Sequence, residues 1–219
     1  MSHQPAAYRP RHVVVLAHPD PGGFNGLVAE AYCEAVRSCG QEAIVRDLYT
    51  MGFNPALKAS ERPGKEGFAL SQDVISEVDA IRSSDVFVAV YPIWFGMPPA
   101  MMVGYIQRVL GAGVTARQVQ DRDADTIMRG KRLVVISTSG NSKAWLNHEH
   151  QIQSLRTIIG EYLVNAFGFK DFDDLHFGQT VEGLDQLFVD QLLADVDHRA
   201  RKICAAVTAD RASETAGAD

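Results

Sequence analysis

Three short runs of this chain are apolar with little alternation: HVVVLA at 12–17, DVFVAVYP at 85–92 and the centre of KRLVVISTSGN at 131–141. A strand with one wet face alternates apolar and polar residues, whereas one covered on both faces does not. The segments between them carry a helical period. Leu27, Val28, Ala31, Tyr32, Ala35 and Val36 form one stripe that stops at Gly40. Further helices are expected over 71–83, from Pro98-Pro99 to Gly111, over 150–167, and from Leu184 to about Val207. EAIVRDL at 42–48 and a weaker run at 175–180 bring the strands to five. Strands that alternate with helices build a parallel, doubly wound sheet between two helical layers. Five of them suit the order 2-1-3-4-5, with ligands at the carboxyl ends of the strands near the switch in order.

The 219 residues suffice for one domain with a large core. That domain is expected over 12–207, between an N-terminal tail at 1–11 and a frayed C-terminal tail at 208–219. The net charge of −6 disfavours nucleic acid and anionic membrane as partners. Nothing at the N-terminus reads as a secretory signal and no apolar run spans a bilayer, so a cytoplasmic location and no membrane insertion are expected. Cys33, Cys39 and Cys204 form neither a CxxC pair nor a zinc spacing, and read as small packing residues.

Function is therefore sought in the three loops after the central strands. LAHPDPGGFNG, 16–26, joins the first strand to a helix. A helix N-terminus offers unpaired N–H groups and a partial positive charge. Gly22, Gly23 and Gly26 let a phosphate approach the backbone, and Asn25 is a candidate cap, although any strand-to-helix turn could look the same. YPIWFGMPPA, 91–100, holds Trp94 and Phe95 between prolines, either as a platform for a planar ring or as a lid on the core. STSGNSKAWLNHEH, 137–150, brings Thr138, Ser139, Gly140 and Asn141 to the end of the fourth strand. There they could read the polar edge of a heterocycle or simply make a turn. His148 and His150 diverge if helical, which argues against a metal and leaves one of them as a possible proton donor.

An anion cradle, an aromatic platform and a polar rim together suit a phosphorylated planar cofactor, and a flavin best. AHPDPGGFN, DLYTMGFNPAL, YPIWFGMPPAMMVGYIQRVL and TSGN, spread over most of 12–170, resemble the flavodoxin-like NAD(P)H:quinone oxidoreductases of the DT-diaphorase and modulator-of-drug-activity type. The resemblance implies a flavodoxin-like α/β fold and a homodimer, with Met97, Met101, Met102 and Tyr105 as candidate interface residues. It implies that hydride passes from NAD(P)H through the flavin to a quinone or similar acceptor, the two substrates taking turns at one site. By the same resemblance, His18, Phe24 and Asn25 would hold the phosphate side of the flavin, with Gly22 a cofactor-binding candidate from the glycine-rich turn itself. Pro92, Ile93, Trp94 and Phe95 would lie along the ring, Thr138, Ser139, Gly140 and Asn141 on its polar edge, and His148 or His150 would relay protons. Phe24-Asn25 resembles the FAD-using members, so FAD is expected, with FMN as the alternative. Two departures stand out. PIWFG is one residue shorter than in many relatives, and polar TARQVQDRDAD replaces an aromatic-rich substrate roof. The second departure keeps open a rival reading, a flavin-binding redox sensor or regulatory module with little turnover.

Overall fold

The computed structural model describes residues 8–20, 22–122, 124–181 and 183–216. Five strands form one parallel sheet: β1 (Arg11–Leu16), β2 (Glu42–Asp47), β3 (Val86–Pro92), β4 (Arg132–Thr138) and β5 (Asp171–Phe177). Their spatial order is β2-β1-β3-β4-β5, as the alternation of elements requires. Leu16 is level with Asp47 on one side and Val90 on the other, and Pro92 is level with Thr138, itself level with Phe177. The carboxyl ends of β1, β3, β4 and β5 thus finish along one edge.

The period of two along each strand divides the core. Val14, Leu16, Val88, Val90, Val134 and Ile136 face α1 (Phe24–Ser38) and α8 (Gln186–Ala216). Val13, Val15, Phe87, Ala89, Tyr91 and Val135 face the other layer. That layer comprises α2 (Gln72–Arg82), α3 (Ala100–Tyr105), α4 (Ala116–Asp121), α5 (Lys143–His148), α6 (Gln151–Leu155) and α7 (Tyr162–Phe167). π-helical turns at Ile106–Leu110 and Arg156–Glu161 continue α3 and join α6 to α7.

The expected strand at 175–180 lies instead at Asp171–Phe177. The sequence DFDDLHF hides it, because aspartate is a poor strand former. Each of those aspartates has an arginine: Asp171 pairs with Arg132, Asp173 with Arg199 and Asp174 with Arg156. The C-terminal boundary also differs. Helix α8 continues past Val207 to Ala216, where Asp210 meets Arg132 and Lys170 at 2.6 Å and Arg211 meets Asp85 at 2.6 Å. Tyr8 donates to Asp85 at 2.6 Å and β1 begins at Arg11, so residues 8–11 pack against the start of the sheet.

Met102 and Tyr105 are fully buried within the chain, so they cannot be the interface residues the sequence suggests. Met97 is exposed and Met101 half-buried. Tyr105 donates to Glu77 at 3.0 Å, and Arg46 closes the same cluster against Glu77. One turn on, the fully buried Arg108 meets Glu61 at 2.6 Å and Asp73 at 2.8 Å, bonds the Asn54 carbonyl, and lies over the Phe53 ring. This guanidinium pins the long connection between β2 and α2 to the core, which the sequence alone does not show.

Candidate functional site

The strand ends open into a cleft of about 390 Å³. After β1 the chain turns on an aspartate: Asp20 Oδ1 accepts from the Gly22 N–H at 3.0 Å, and the Asp20 carbonyl from Gly23 at 3.2 Å. Gly23, not Asn25, is the N-cap of α1, and no side chain caps it. The first N–H groups of this 15-residue helix therefore have no side-chain acceptor where Gly23 and Phe24 line the cleft. A Cβ at Gly23 would stand 3.0 Å from the His18 ring and 3.2 Å from the Asp20 carbonyl, so this position admits only a glycine without adjustment.

Asn25 is buried inside the first turn of α1. Its side chain and the Thr138 hydroxyl bond each other, the amide donating at 3.1 Å. This contact ties the cradle after β1 to the end of β4 across the sheet. It also removes the Thr138 hydroxyl and Asn25 amide from duty as free donors.

After β3, Ile93 donates its N–H to the Thr138 carbonyl at 2.6 Å. The chain then reverses at Trp94-Phe95-Gly96-Met97, with Trp94 and Met97 exchanging backbone bonds of 3.0 and 2.9 Å. Both central residues have positive φ, 49° at Phe95 and 78° at Gly96, which is a type I′ reversal. The turn separates the two aromatics. Trp94 lines the cleft with its ring 5.8 Å from that of His18, while Phe95 is turned fully into solvent. The platform is one ring, not two.

After β4 the loop is strapped to the end of β5. Ser139 N–H donates to the Phe177 carbonyl at 2.9 Å, Thr180 N–H to the Ser139 carbonyl at 2.9 Å, and Gln179 N–H to the Asn141 carbonyl at 3.0 Å. The Ser139 hydroxyl donates to the Asn141 carbonyl at 2.9 Å, so it must accept from His176 Nε2–H at 3.1 Å. That assigns the tautomer: His176 Nδ1 is the acceptor for the Ser137 hydroxyl at 2.9 Å. Burial holds His176 neutral, lowering its pKa to about 4.

His18, Phe24, Asn25, Pro92, Ile93, Trp94, Thr138, Ser139 and Gly140 share the cleft wall. Gly22, Phe95 and Asn141 do not, being respectively in the aspartate turn, outside the reversal and in the strap to β5. Neither do the histidines proposed as proton donors. His148 ends α5 with an exposed ring 3.0 Å from Glu149, and His150 is the left-handed residue (φ 58°) between α5 and α6. Sequence reasoning missed Thr180, Val181, Leu184 and Val189, which form the wall on the β5–α8 side. Their signal was an apolar patch between a strand and a helix, obscured by the misplaced β5.

A model of the flavodoxin-like fold family matches residues 10–202. The chain belongs to the flavodoxin-like fold family. Among its relatives, NAD(P)H dehydrogenase [quinone] 1 of Rattus norvegicus is 30% identical over 154 residues, which is 62% of this chain and 56% of that one. An uncharacterised NAD(P)H oxidoreductase of Haemophilus influenzae is 28% identical over 171 residues, 75% of this chain and 84% of that one. The flavodoxin-like chain thus aligns with little more than half the length of the rat protein. The solved NAD(P)H:quinone oxidoreductase of Methanothermobacter marburgensis shares its fold, with TM-score 0.73 and 24% identity over 90% of this chain and 98% of that one. In this flavodoxin-like sheet the cleft lies at the ends of β1 and β3, where the strand order reverses. Among the described residues no helix is long and apolar enough to cross a membrane.

Proposed function

We propose that this protein is an NAD(P)H-dependent flavin oxidoreductase that reduces a quinone-like small acceptor. One observation carries the reading. The uncapped N-terminus of α1, the Trp94 ring and the strapped loop at Ser139-Gly140 meet in a single cleft at the switch in strand order. An N-terminus with free N–H groups suits a phosphate, and an indole beside it suits a flat heterocycle. The names borne by the rat, Haemophilus and Methanothermobacter relatives support the same chemistry. A bound flavin would supply the redox chemistry, accepting hydride from the nicotinamide and returning it to the acceptor.

The chain's own groups bind and orient. The Phe24 N–H at the start of α1 holds the phosphate, His18 and Trp94 wall the ring, and the backbone at Ser139-Gly140 borders its polar edge. In this reading NAD(P)H and the acceptor take turns at this one cleft. No proton-relay role is assigned to His148 or His150, which lie off this wall. FAD is the flavin favoured by Phe24-Asn25. FMN is the alternative, and solved proteins of this fold from Treponema denticola and Bacillus anthracis are described in complex with it. The protein is expected to work as a homodimer, and light scattering of a monomer at working concentration would remove that part.

The purified protein should be yellow, lose its flavin absorbance on anaerobic addition of NAD(P)H, and regain it with a quinone. Mass spectrometry of the released cofactor separates FAD from FMN. A colourless protein that ignores both flavins would overturn the reading. Flavin binding with NAD(P)H oxidation unmoved by any quinone would favour the regulatory module, whose supporting observation is the polar α4 segment in place of an aromatic roof.

A further inference from the structure

The three cysteines are separated by sequence but not by the fold. Cys39 is the C-cap of α1, with an exposed side chain, and Cys204 is a buried residue of α8. Two contacts bracket the pair. Gln41, two residues after Cys39, donates its side-chain amide to the Cys204 carbonyl at 3.0 Å and to the Thr208 hydroxyl at 3.1 Å. Arg201, one turn before Cys204, reaches back to place a guanidinium nitrogen 4.0 Å from Cys39 Sγ, while Asp197 steadies it at 2.8 Å. These contacts set the end of α1 at Cys39 against α8 beside Cys204, and the Cys39 sulfur is the neighbouring group that helps raise the Cys204 thiol. Cys33, six residues before Cys39 on α1, is buried in the core layer that also holds Cys204.

We propose that Cys39 and Cys204 are a thiol pair that low-molecular-weight disulfides oxidise to an intramolecular bridge between α1 and α8. This rests on no part of the flavin reading. The two sulfurs differ in the way exchange requires. Cys39 is open to solvent, with an Arg201 nitrogen 4.0 Å from its sulfur, so it is the thiol that a dissolved disulfide meets first. Burial and the neighbouring Cys39 sulfur push the Cys204 thiol up to about 12, so it waits as the neutral partner. His12 cannot serve Cys204 as a base, although its Nε2 is 4.0 Å from the sulfur, because that nitrogen donates to Gln41 Oε1 at 2.9 Å.

In the first step the Cys39 thiolate attacks one sulfur of RS–SR, forming Cys39–S–SR and expelling RS⁻. In the second, the RS⁻ expelled in the first step takes the Cys204 proton, the Cys204 thiolate attacks the Cys39 sulfur, and the bond from that sulfur to SR breaks, releasing a second RS⁻. Two protein thiols are oxidised and one small disulfide is reduced to two thiols. The bridge would join the C-terminal end of α1 to the middle of α8, two helices whose N-terminal ends, through Phe24, Leu27 and Val189, wall the cleft.

The test incubates the fully reduced protein with oxidised glutathione. Thiols are then counted under denaturing conditions, and peptides are mapped by mass spectrometry without reduction. Two of the three thiols should disappear, with a Cys39–Cys204 peptide crosslink, no retained glutathione and Cys33 free. Cys33→Ser should form the same bridge, Cys39→Ser should lose no thiol, and Cys204→Ser should keep glutathione on Cys39. A wild-type protein that retains glutathione on Cys39 with Cys204 free, forms only bridges between molecules, or does not react overturns the proposal. The wild-type map decides without any variant.

Discussion

A Cβ at Gly104 would lie 2.3 Å from the Pro55 carbonyl oxygen, so the helix there can touch the β2–α2 connection only because the side chain is absent. The obstacle is backbone on both sides and cannot rotate away. Gly104→Ala should therefore destabilise the protein, by about 2 kcal/mol, despite alanine's better helix propensity. A urea midpoint at or above the wild-type value would show that the contact is not rigid.

Protonation has a sign that follows from burial at the same scale. His12 is held neutral in the core between Tyr32 and Gln41, and its pKa is lowered to about 4, like that of His176. The unfolded chain takes up protons at both histidines near pH 6.5, the folded chain only near 4. Their contribution to stability is complete above pH 6.5 and is lost as pH falls towards 4. Between pH 7 and 5 each should cost on the order of 1–2 kcal/mol. Glu61 extends the trend. Its bonds to Arg108 lower its pKa to about 2, so its contribution is present above the usual carboxylate range and is lost as pH falls to about 2. Urea titrations at pH 7, 6 and 5 should give falling midpoints, and equal midpoints would refute both histidine assignments.

At the level of elements, the reversal after β3 decides what the paired aromatics can do. A type I′ turn requires φ > 0 at both central positions, and a phenylalanine at φ 49° is strained there. Phe95→Asn should relieve that strain and raise stability by roughly 0.5–1 kcal/mol, because asparagine tolerates the left-handed region. It should leave flavin retention little changed, since the Phe95 ring is outside the cleft. A lowered melting temperature or loss of flavin would place that ring in contact with something essential. The helices were easier to read than β5 or the end of α8. A stripe such as Leu27 to Val36 is local, whereas the aspartates of β5 and the tail of α8 depend on arginines and a lysine from distant elements.

Across the whole molecule, the cleft exists because β1, β3 and β4 end in register and the Asn25–Thr138 contact clamps two of their loops together. Trp94 stands beside His18 in its wall, so Trp94→Ala should weaken flavin binding by roughly 5- to 150-fold, as lost stacking of about 1–3 kcal/mol implies. Fluorescence titration of the flavin-free variant measures this, and an unchanged dissociation constant would move the ring site elsewhere.

The order of the strands, the two covering layers and the three loops that line the cleft were determined by the sequence itself. Hydrophobic period and turn composition are local properties, and parallel sheets obey few topologies. Tertiary structure alone decided which loop residues face one another. It turned Phe95 out and left Trp94 in, directed Asn25 and the Thr138 and Ser139 hydroxyls to internal bonds, and added Thr180, Val181, Leu184 and Val189 as the far wall. Those outcomes depend on backbone handedness at single residues and on hydrogen bonds between segments more than a hundred residues apart, which no local pattern encodes.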